Sequence, residues 1–411
     1  MNRDTSNNSI WRSAIIVILA ACLLSLLGMG VRSSFGLFLE PMTLSRGWNR
    51  ETFAFAMALQ NLLWGIGVPI ASAISDRFGP AKVIAAGALL YSLGTIGMAM
   101  AESSLVLHLS GGIIAGIGVA FSSFSIALSA IAGVVSPERR SLALGLGTAS
   151  GSLGQVIFSP IALIFISSWG WHPALLVLGL ISIVILPLAF FLPAPVTGSD
   201  TVVEKVEQSL REALEEAAAH RGYVLLALGF FVCGFHVAFV MVHMPAYIKD
   251  LGLPARVGAY SLSIIGFCNI IGSFLSGWVG QRWSKKRSLS AIYLTRAIII
   301  SIMLMMPKTE LTIYLFSFAI GILWLSTVPL TMGIVAQVFG VLYMATLVGI
   351  VFFSHQVGSF IGVWLGGYLY DNFGTYDPVW YAAIVLGVLA ALLHIPIDER
   401  PLPRLAPSPQ G

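Results

Sequence analysis

Residues 72–82 read SAISDRFGPAK and form a short polar segment between two long apolar runs. Residues 277–287, GWVGQRWSKKR, hold the same place between two later apolar runs, 205 positions further along the chain. Arg77 of the first segment coincides with Arg282 of the second. Self-similarity at a fixed offset indicates an internal repeat. The chain therefore reads as two related halves, and each segment is the loop between the second and third apolar runs of its half.

The repeat extends beyond these loops. At an offset of 204 the following pairs coincide: Gly30 with Gly234, Arg32 with His236, Pro41 with Pro245, Gly145 with Gly349, Ser150 with Ser354, Gly154 with Gly358 and Gly170 with Gly374. With six apolar runs in each half, corresponding runs cross a membrane in the same direction. Repeats of this parallel type are related about the membrane normal and place a binding site at their interface, near mid-membrane.

The composition requires a lipid environment. Apolar residues make up 57% of the chain and charged residues 10%. Apolar runs of about 20 residues, long enough to cross a hydrocarbon core, predict transmembrane helices. The predicted helices 1 to 12 cover 13–39, 52–75, 83–101, 105–134, 141–168, 172–192, 223–248, 257–280, 288–306, 310–338, 344–370 and 379–397. The runs are continuously apolar, which excludes the alternating pattern of a lipid-facing β-barrel. The first run is too long for a signal-peptide core, and we expect it to remain as helix 1.

Basic residues predict the orientation. Fifteen Lys and Arg residues lie on the side of the N-terminus and five on the other, while Arg32 and Arg296 lie within helices. This bias places both termini in the cytoplasm of a plasma membrane, which we expect to be a bacterial inner membrane. The formal net charge of +4 is then a topology signal and gives no indication of nucleic-acid binding.

A polar stretch separates the halves. Residues 193–222 contain EKVEQSLREALEEAAAHR, with opposite charges at helical spacings. We interpret it as a cytoplasmic linker with a short surface helix, either a plain connector or a docking site for a partner. The predicted domains are therefore residues 1–192, a linker at 193–222, and residues 223–411. The fold class is an all-α membrane protein of twelve helices in two six-helix bundles.

The first loop resembles the signature of the major facilitator superfamily, in which a small residue precedes Asp, Arg, Gly and a basic residue. Ser72, Asp76, Arg77, Gly79 and Lys82 occupy those places. In that family the loop holds the inward-closed state, so the resemblance implies gating roles for Asp76 and Arg77, with a simple topology anchor as the alternative.

The second loop carries Arg282 as the matching gating candidate. It has Gln281 where the acid would be, which departs from the family pattern.

Helix 1 also ends in a recognisable pattern, GVRSSFGLFLEPM at 30–42. It resembles the first helix of monocarboxylate transporters and of their bacterial oxalate:formate antiporter relatives, as do helix 7 and residues 349–367. Those transporters commonly carry an Asp and an Arg in helix 8, where this chain has Asn269 and Ser273. The helix 8 carboxylate clamp is therefore missing.

Arg32 is the leading candidate for binding. A charge at membrane depth is costly and is expected to be functional. Every Asp and Glu lies in a loop, a tail or a helix end, so no acid within the spans can pair with it. A guanidinium prefers a planar anion. We predict that the substrate is that anion; a structural bond to backbone carbonyls is the alternative, and the same choice stays open for Arg296.

Histidines and amides complete the candidate site. His236 lies near mid-membrane in helix 7 with His243 two turns away on the same face, which suggests a proton or substrate relay. Neutral histidines bonded to neighbouring helices are the alternative. In helix 11, His355 and Gln356 are candidates to hold a second substrate oxygen. Further candidate lining residues, each of which could equally join helices, are Gln60, Asn61, Gln155 and Asn269.

The buried charge is positive, and no nucleotide-binding loop, metal cluster, catalytic triad or cofactor motif stands out. We therefore predict a secondary transporter, not an enzyme, that acts as a monomer and moves a small organic anion, a monocarboxylate, together with a proton. Membrane lipid and these ligands are its expected partners, without nucleic acid. The alternatives are an efflux carrier for a larger amphipathic metabolite or siderophore, and a non-transporting sensor.

Overall fold

The computed structural model describes residues 3–135, 137–193, 208–340 and 342–405. Within these residues, twelve helices are long and apolar enough to span a membrane, which confirms the predicted fold class. Their bounds in the first half are Arg3–Ser33, Phe35–Phe38 and Leu39–Arg46 for helix 1, Arg50–Phe78 for helix 2, Pro80–Ala99 for helix 3, Ser104–Leu107, His108–Ile114, Ala115–Phe121 and Phe124–Val134 for helix 4, Pro137–Trp169 for helix 5, and Trp171–Ile183 and Ile185–Ala189 for helix 6.

The second half repeats this order after a short helix, Leu210–Ala219, which we call the linker helix. Its bounds are Arg221–Asp250 for helix 7, Ala255–Arg282 for helix 8, Lys285–Met305 for helix 9, Glu310–Ile322 and Thr327–Phe339 for helix 10, Met344–Phe373 for helix 11 and Asp377–His394 for helix 12. A 3₁₀ turn at Pro403–Leu405 follows. We call the end of the bundle that carries the linker helix the linker face, and the other end the opposite face.

Helix 1 is longer than predicted. It was expected to end at 39, but it continues to Arg46 and stops at Gly47, whose φ of +67° favours glycine. The extension places Glu40 inside the helix, where it pairs with Lys249 of helix 7 at 2.7 Å. Arg32 is thus fourteen residues from the helix end, roughly 20 Å along the axis at 1.5 Å per residue.

The linker helix fits the prediction of a surface helix. Ser209 accepts a hydrogen bond from the Glu212 amide and the Glu212 side chain accepts one from the Ser209 amide, which is a capping box. The bond from the Ser209 amide to the Glu212 carboxylate, followed by the influence of the Ser209 side chain, lowers the pKa of Glu212. Residues 194–207 of the predicted linker lie outside the described residues, so the predicted domain boundaries stay a prediction.

The repeat is visible in how the halves pack internally. In the first half a Cβ at Gly154 of helix 5 would lie 2.1 Å from the Leu26 carbonyl oxygen of helix 1. In the second half a Cβ at Gly358 of helix 11 would lie 2.0 Å from the Phe231 carbonyl oxygen of helix 7. Only glycine permits such close helix contact. Helices 1 and 5, and likewise helices 7 and 11, are thereby joined into rigid pairs.

The interface between the halves is tight at the opposite face and open at the linker face. Near the opposite face, a Cβ at Gly367 of helix 11 would lie 2.7 Å from the Glu51 backbone of helix 2. Near the linker face, the same test at Gly349 of helix 11 finds no atom within 4 Å. The helices that meet at one end of the molecule therefore separate toward the other.

Candidate functional site

A cavity of about 170 Å³ lies between the halves at the middle of the bundle. Helices 1, 2, 4 and 5 line it on one side and helices 7, 8, 10 and 11 on the other. The lining begins at Arg32 and Ser33 and reaches Val348, one turn from the linker-face end of helix 11. The cavity therefore extends toward the face where the halves are apart.

Arg32 carries the positive charge of this cavity. It occupies the last turn of the first segment of helix 1, directly before the chain changes to a 3₁₀ turn. Its Nη2 donates to the side-chain oxygen of Asn61, and its guanidinium lies 4.6 Å from the centre of the Trp64 ring. Asn61 is fixed by donating to the Met57 carbonyl at 2.8 Å. Nε of Arg32 is buried without a partner, and within the described residues no carboxylate forms an ion pair with this guanidinium.

Helix 11 supplies further unpaired polar groups, in addition to Trp64 Nε1 of helix 2 and Thr331 Oγ1 of helix 10 in the same lining. Both amide atoms of Gln356 and Nδ1 of His355 are buried with no hydrogen-bond partner among the described residues. Both side chains line the cavity. The imidazole of His355 is stacked on Phe352, with ring centres 5.8 Å apart. A buried donor or acceptor without a partner costs about 1–3 kcal/mol. The cavity thus holds a cation, an amide and an imidazole whose hydrogen bonds are available to a ligand.

Two of the helices that line the cavity are broken, and Phe124 after the first break and Trp324 and Leu325 in the second belong to the lining. Helix 4 is interrupted at Ser122 and Ser123, and helix 10 between Ile322 and Thr327. Ser122 and Ser326 are 204 residues apart, so the two breaks are repeat equivalents. Sequence reasoning missed both. The polar pair Ser122–Ser123 between two phenylalanines was the available signal, because short hydroxyl side chains favour caps and turns over helix interiors.

Asn269 and Gln155 line the cavity, as predicted, and also join the halves. Asn269 donates to the Ser152 hydroxyl of helix 5 at 2.9 Å and accepts from the Leu325 amide in the helix 10 break at 3.0 Å. Gln155 donates to the Leu262 carbonyl of helix 8 at 2.9 Å. For Asn269 and Gln155 the two interpretations offered by the sequence, lining the cavity and joining helices, therefore both apply.

Two other candidates point away from this cavity. Gln60 donates to the Gly111 carbonyl of helix 4 at 3.0 Å. His236, the repeat partner of Arg32, bonds through Nε2 to the Ala383 carbonyl of helix 12 at 2.8 Å. His236 instead lines a separate space of about 10 Å³ next to Arg296. Repeat equivalence therefore does not place His236 and Arg32 in the same site.

Arg296 is buried at 1% exposure, and its role is local. Its Nη2 donates to the carbonyls of Leu323 and Trp324, the latter at 2.6 Å. These carbonyls end the first segment of helix 10 and would otherwise have no intrahelical donor. The contacts of Arg296 thus match the alternative of a structural bond to backbone carbonyls. Its guanidinium holds the helix 10 break beside the cavity.

His243 belongs to a chain of hydrogen bonds at the opposite face. Its Nε2 contacts the Val363 carbonyl at 2.8 Å and therefore carries the hydrogen, so Nδ1 accepts from the Tyr376 hydroxyl at 3.1 Å. Tyr376 in turn accepts from Arg50 at 3.0 Å. His243 is fully buried and does not line the cavity.

Arg50 of helix 2 closes the opposite face. It forms a two-pronged ion pair with Asp250 of helix 7, at 2.6 and 2.7 Å, and lies 3.7 Å from the centre of the Tyr370 ring. Asp371 of helix 11 accepts from the amides of Arg50 and Glu51 at 3.1 and 2.7 Å. We call these residues the opposite-face seal. Each of its bonds joins the first half to the second.

The predicted gating residues lie near the linker face. The Asp76 side chain lies outside the described residues. Arg77 is exposed, with its guanidinium 5.2 Å from the Phe78 ring, and Arg282 is exposed at 4.1 Å from the Trp278 ring. Their role in gating stays a prediction.

Sequence comparison identifies the family. A profile described as Major Facilitator Superfamily matches residues 20–362 and 260–411. The chain belongs to this superfamily of membrane transporters.

Among curated relatives, monocarboxylate transporter 13 of Rattus norvegicus is 26% identical over 388 residues, covering 92% of this chain and 89% of that protein. Monocarboxylate transporter 11 of Homo sapiens is 25% identical, covering 96% and 83%. An uncharacterized MFS-type transporter, YcxA of Bacillus subtilis (strain 168), is 24% identical, covering 89% and 90%.

Solved structures agree on the fold. A D-xylose-proton symporter superposes with a TM-score of 0.78 at 15% identity, covering 94% of this chain and 99% of that one. A bacterial homologue of the human lysosomal transporter Spinster, in an inward-facing and unoccupied conformation, gives 0.71 at 17% identity, covering 93% and 96%. At these identities the likeness concerns the fold alone.

Proposed function

We propose that this transporter carries a small organic anion, a monocarboxylate, with a proton, by alternating exposure of the central cavity. The observation that carries the proposal is Arg32, a guanidinium without an acid partner among the described residues, facing a cavity between the halves. A planar carboxylate matches the fork of a guanidinium, and burial strengthens the charge-assisted bonds. The relatives named as monocarboxylate transporters support this substrate class.

The cavity size favours a small substrate over the larger amphipathic metabolite. Sites for drug-sized ligands measure about 300–1,000 Å³. The cavity here measures about 170 Å³. Gln356 contributes a donor and an acceptor to the cavity that Arg32 also lines, which suits the second oxygen and the α-substituent of a short acid. The alternative function, efflux of larger compounds, is therefore distinguished by the transport experiment below.

The proton-coupling role goes to His355. Of the three histidines predicted from helices 7 and 11, His355 is the one whose side chain lines the cavity with Arg32, and its Nδ1 has no partner. An imidazole changes charge within the physiological pH range. Protonation of His355 would add a second positive group for the bound carboxylate, so anion and proton would bind with mutual reinforcement.

The orientation follows from the charge bias. We assign the linker face to the cytoplasm because it carries most of the Lys and Arg residues. The cavity then opens inward and the opposite-face seal closes the outer side. A green fluorescent protein fused after Gly411 should fluoresce, whereas alkaline phosphatase at the same place should be inactive. Active phosphatase would reverse the assignment.

The experiment is uptake of radiolabelled lactate, pyruvate and oxalate into proteoliposomes, with and without an inward proton gradient. Accumulation of one acid driven by the gradient is the expected result. The matched variants are Arg32→Gln and Gln60→Leu, one inside the cavity and one outside it. Equal uptake by wild type and Arg32→Gln contradicts the proposal, and no uptake of any acid favours the carrier of larger metabolites.

A further inference from the structure

A second, wider space lies between helices 8, 9 and 10. It measures about 700 Å³, compared with about 170 Å³ for the central cavity. Helices 8 and 9 form its walls and helix 10 its floor. Most of its length is apolar, lined by Leu275, Val279, Ile292, Leu323 and Leu330. We call it the lateral groove.

Two arginines stand at the linker-face end of the lateral groove. Arg282 and Arg287 are both exposed, and within the described residues neither guanidinium forms an ion pair. The neighbouring lysines are engaged, since Lys285 donates to Gln337 at 2.6 Å and Lys286 to the Ile397 carbonyl.

Two carboxylates lie nearby, and one of them, Asp398, pairs with Arg400 at 2.6 Å. Glu399 accepts from the Ser284 hydroxyl at 2.7 Å and from the Lys286 amide at 2.9 Å. The groove end nevertheless keeps an excess of positive charge, because Arg282, Arg287, Lys285 and Lys286 outnumber Glu399 and Asp398, and Asp398 is already paired with Arg400.

The surroundings place the groove at the membrane boundary. Trp278 and Trp283, on the same turns as Arg282, are 50% and 66% exposed. Exposed tryptophans of this kind lie at the level of lipid headgroups. About one turn further from the linker face, Phe274 and Leu275 of helix 8 are more than half exposed, which is typical of a surface that faces acyl chains. The arginines are therefore at headgroup depth and the apolar groove at acyl-chain depth.

We propose that an anionic phospholipid occupies the lateral groove, with its phosphate on Arg282 and Arg287 and one acyl chain along the apolar lining. Basic pockets between transmembrane helices on the cytoplasmic side suit anionic headgroups. A small soluble anion would use the arginines but leave the apolar length of the groove empty. A zwitterionic lipid would fill the length but carry no net charge for the arginines.

The groove shares its floor with the central cavity. Ile322, Leu323 and Ser326 face the groove, whereas Trp324 and Leu325, in the same break of helix 10, line the cavity. A lipid in the groove therefore contacts the segment that Arg296 and Asn269 hold in place. If the proposed function is correct, lipid occupancy alters transport by supporting this break, but the binding itself does not depend on that function.

The test is native mass spectrometry of the full-length protein in a neutral detergent, titrated with phosphatidylglycerol or with phosphatidylcholine of the same chains. Wild type should retain phosphatidylglycerol in preference. The double variant Arg282→Gln with Arg287→Gln should bind it roughly thirtyfold more weakly, the product of two interfacial charges. Ala291→Trp fills the lining without changing any charge and should also abolish the preference.

Arg221→Gln is the matched control, because it removes an exposed arginine at the linker-face end of helix 7, away from the groove. It should leave retention unchanged, as should Arg287→Lys within about twofold. An equal loss in Arg221→Gln would show general surface attraction and overturn the site, and so would full retention by Ala291→Trp. Displacement of the lipid by millimolar inorganic phosphate would show a site for free anions instead. Thermal unfolding of each variant separates loss of binding from loss of fold.

Discussion

Arg32 and Arg296 are both arginines at membrane depth, one in each half, and their surroundings differ. Arg32 faces the central cavity with one amide partner and a free Nε. Arg296 is almost fully enclosed, and its Nη2 donates to two backbone carbonyls at a helix break, while its Nε and Nη1 are buried without a partner among the described residues. An arginine at membrane depth is expected to have a specific role, whether it binds a ligand or holds the backbone. The difference between them is one of position, since Arg32 faces the cavity between the halves and Arg296 contacts the backbone at the helix 10 break.

The largest expected effect is on transport in Arg32→Gln. Removing one side of a buried charge pair costs about 2–5 kcal/mol, so uptake of the carboxylate at low concentration should fall roughly a hundredfold. The temperature of unfolding should change little, because no ion pair of the protein is lost. Uptake kinetics and thermal unfolding, measured on the same preparation, check both halves of this expectation. Restoration of uptake by Arg32→Lys would show that charge alone is enough and that the fork geometry is not needed.

Arg296→Ala should show the reverse pattern. Two carbonyls at the end of a helix segment lose their donor, and the free energy of unfolding should fall by about 3 kcal/mol. Chemical unfolding in detergent measures this change. If the stability of the variant equals that of wild type, the helix 10 break does not depend on Arg296, and the contrast with Arg32 disappears.

Gln356→Leu sharpens the contrast without changing any charge. Both amide atoms of Gln356 lack partners, so replacing the side chain removes unsatisfied polar groups and should leave the protein as stable or slightly more stable. Uptake should nevertheless weaken about tenfold if the amide binds substrate. Gln60→Leu is the control, since Gln60 has a partner in the Gly111 carbonyl: its stability should fall by about 1 kcal/mol with uptake per folded molecule unchanged. The same outcome for both variants would remove Gln356 from the site.

The smallest effect is expected for Arg50→Gln, a third arginine whose partner is an acid. Its side chain is 11% exposed and that of Asp250 28%, so the pair is partly solvated and worth about 1 kcal/mol. Loss of the pair should raise the fraction of molecules that are open at the opposite face about fivefold. Spin labels on helices 2 and 11 near the opposite face would report the distance change. Arg256→Gln is the control, because it breaks the Arg256–Glu310 pair, which lies within the second half alone. An equal distance change in that variant would show that the opposite-face seal does not keep this face closed.

Much of the architecture was predictable from sequence because it depends on local composition. Long apolar runs require helices in lipid, and residues that coincide at an offset of 204 positions indicate the internal repeat. The absence of acids within the spans made Arg32 the leading candidate to bind an anion, and that role stays a prediction. The confirmed part is therefore the class of protein, its helices and its family.

The rest depended on contacts between distant residues. Arg50 and Asp250 are 200 residues apart, and nothing near either one indicates the other. His236 is the repeat equivalent of Arg32, but spacing does not reveal which neighbouring helix a side chain contacts, and the His236 ring bonds to helix 12. The helix 10 break is held by Arg296 of helix 9 and Asn269 of helix 8, so its own sequence carries only part of the cause.

Asp371 gives the opposite-face seal a further property. The residue before helix 2, Asn49, makes no side-chain cap, and the first amides of that helix are satisfied by Asp371 of the other half. Separation of the halves at this face must therefore strip helix 2 of its cap and leave the amides of Arg50 and Glu51 to water. Hydrogen exchange at these two amides would then follow the conformational cycle directly in the unlabelled protein, slow while the opposite face is closed and fast when it opens.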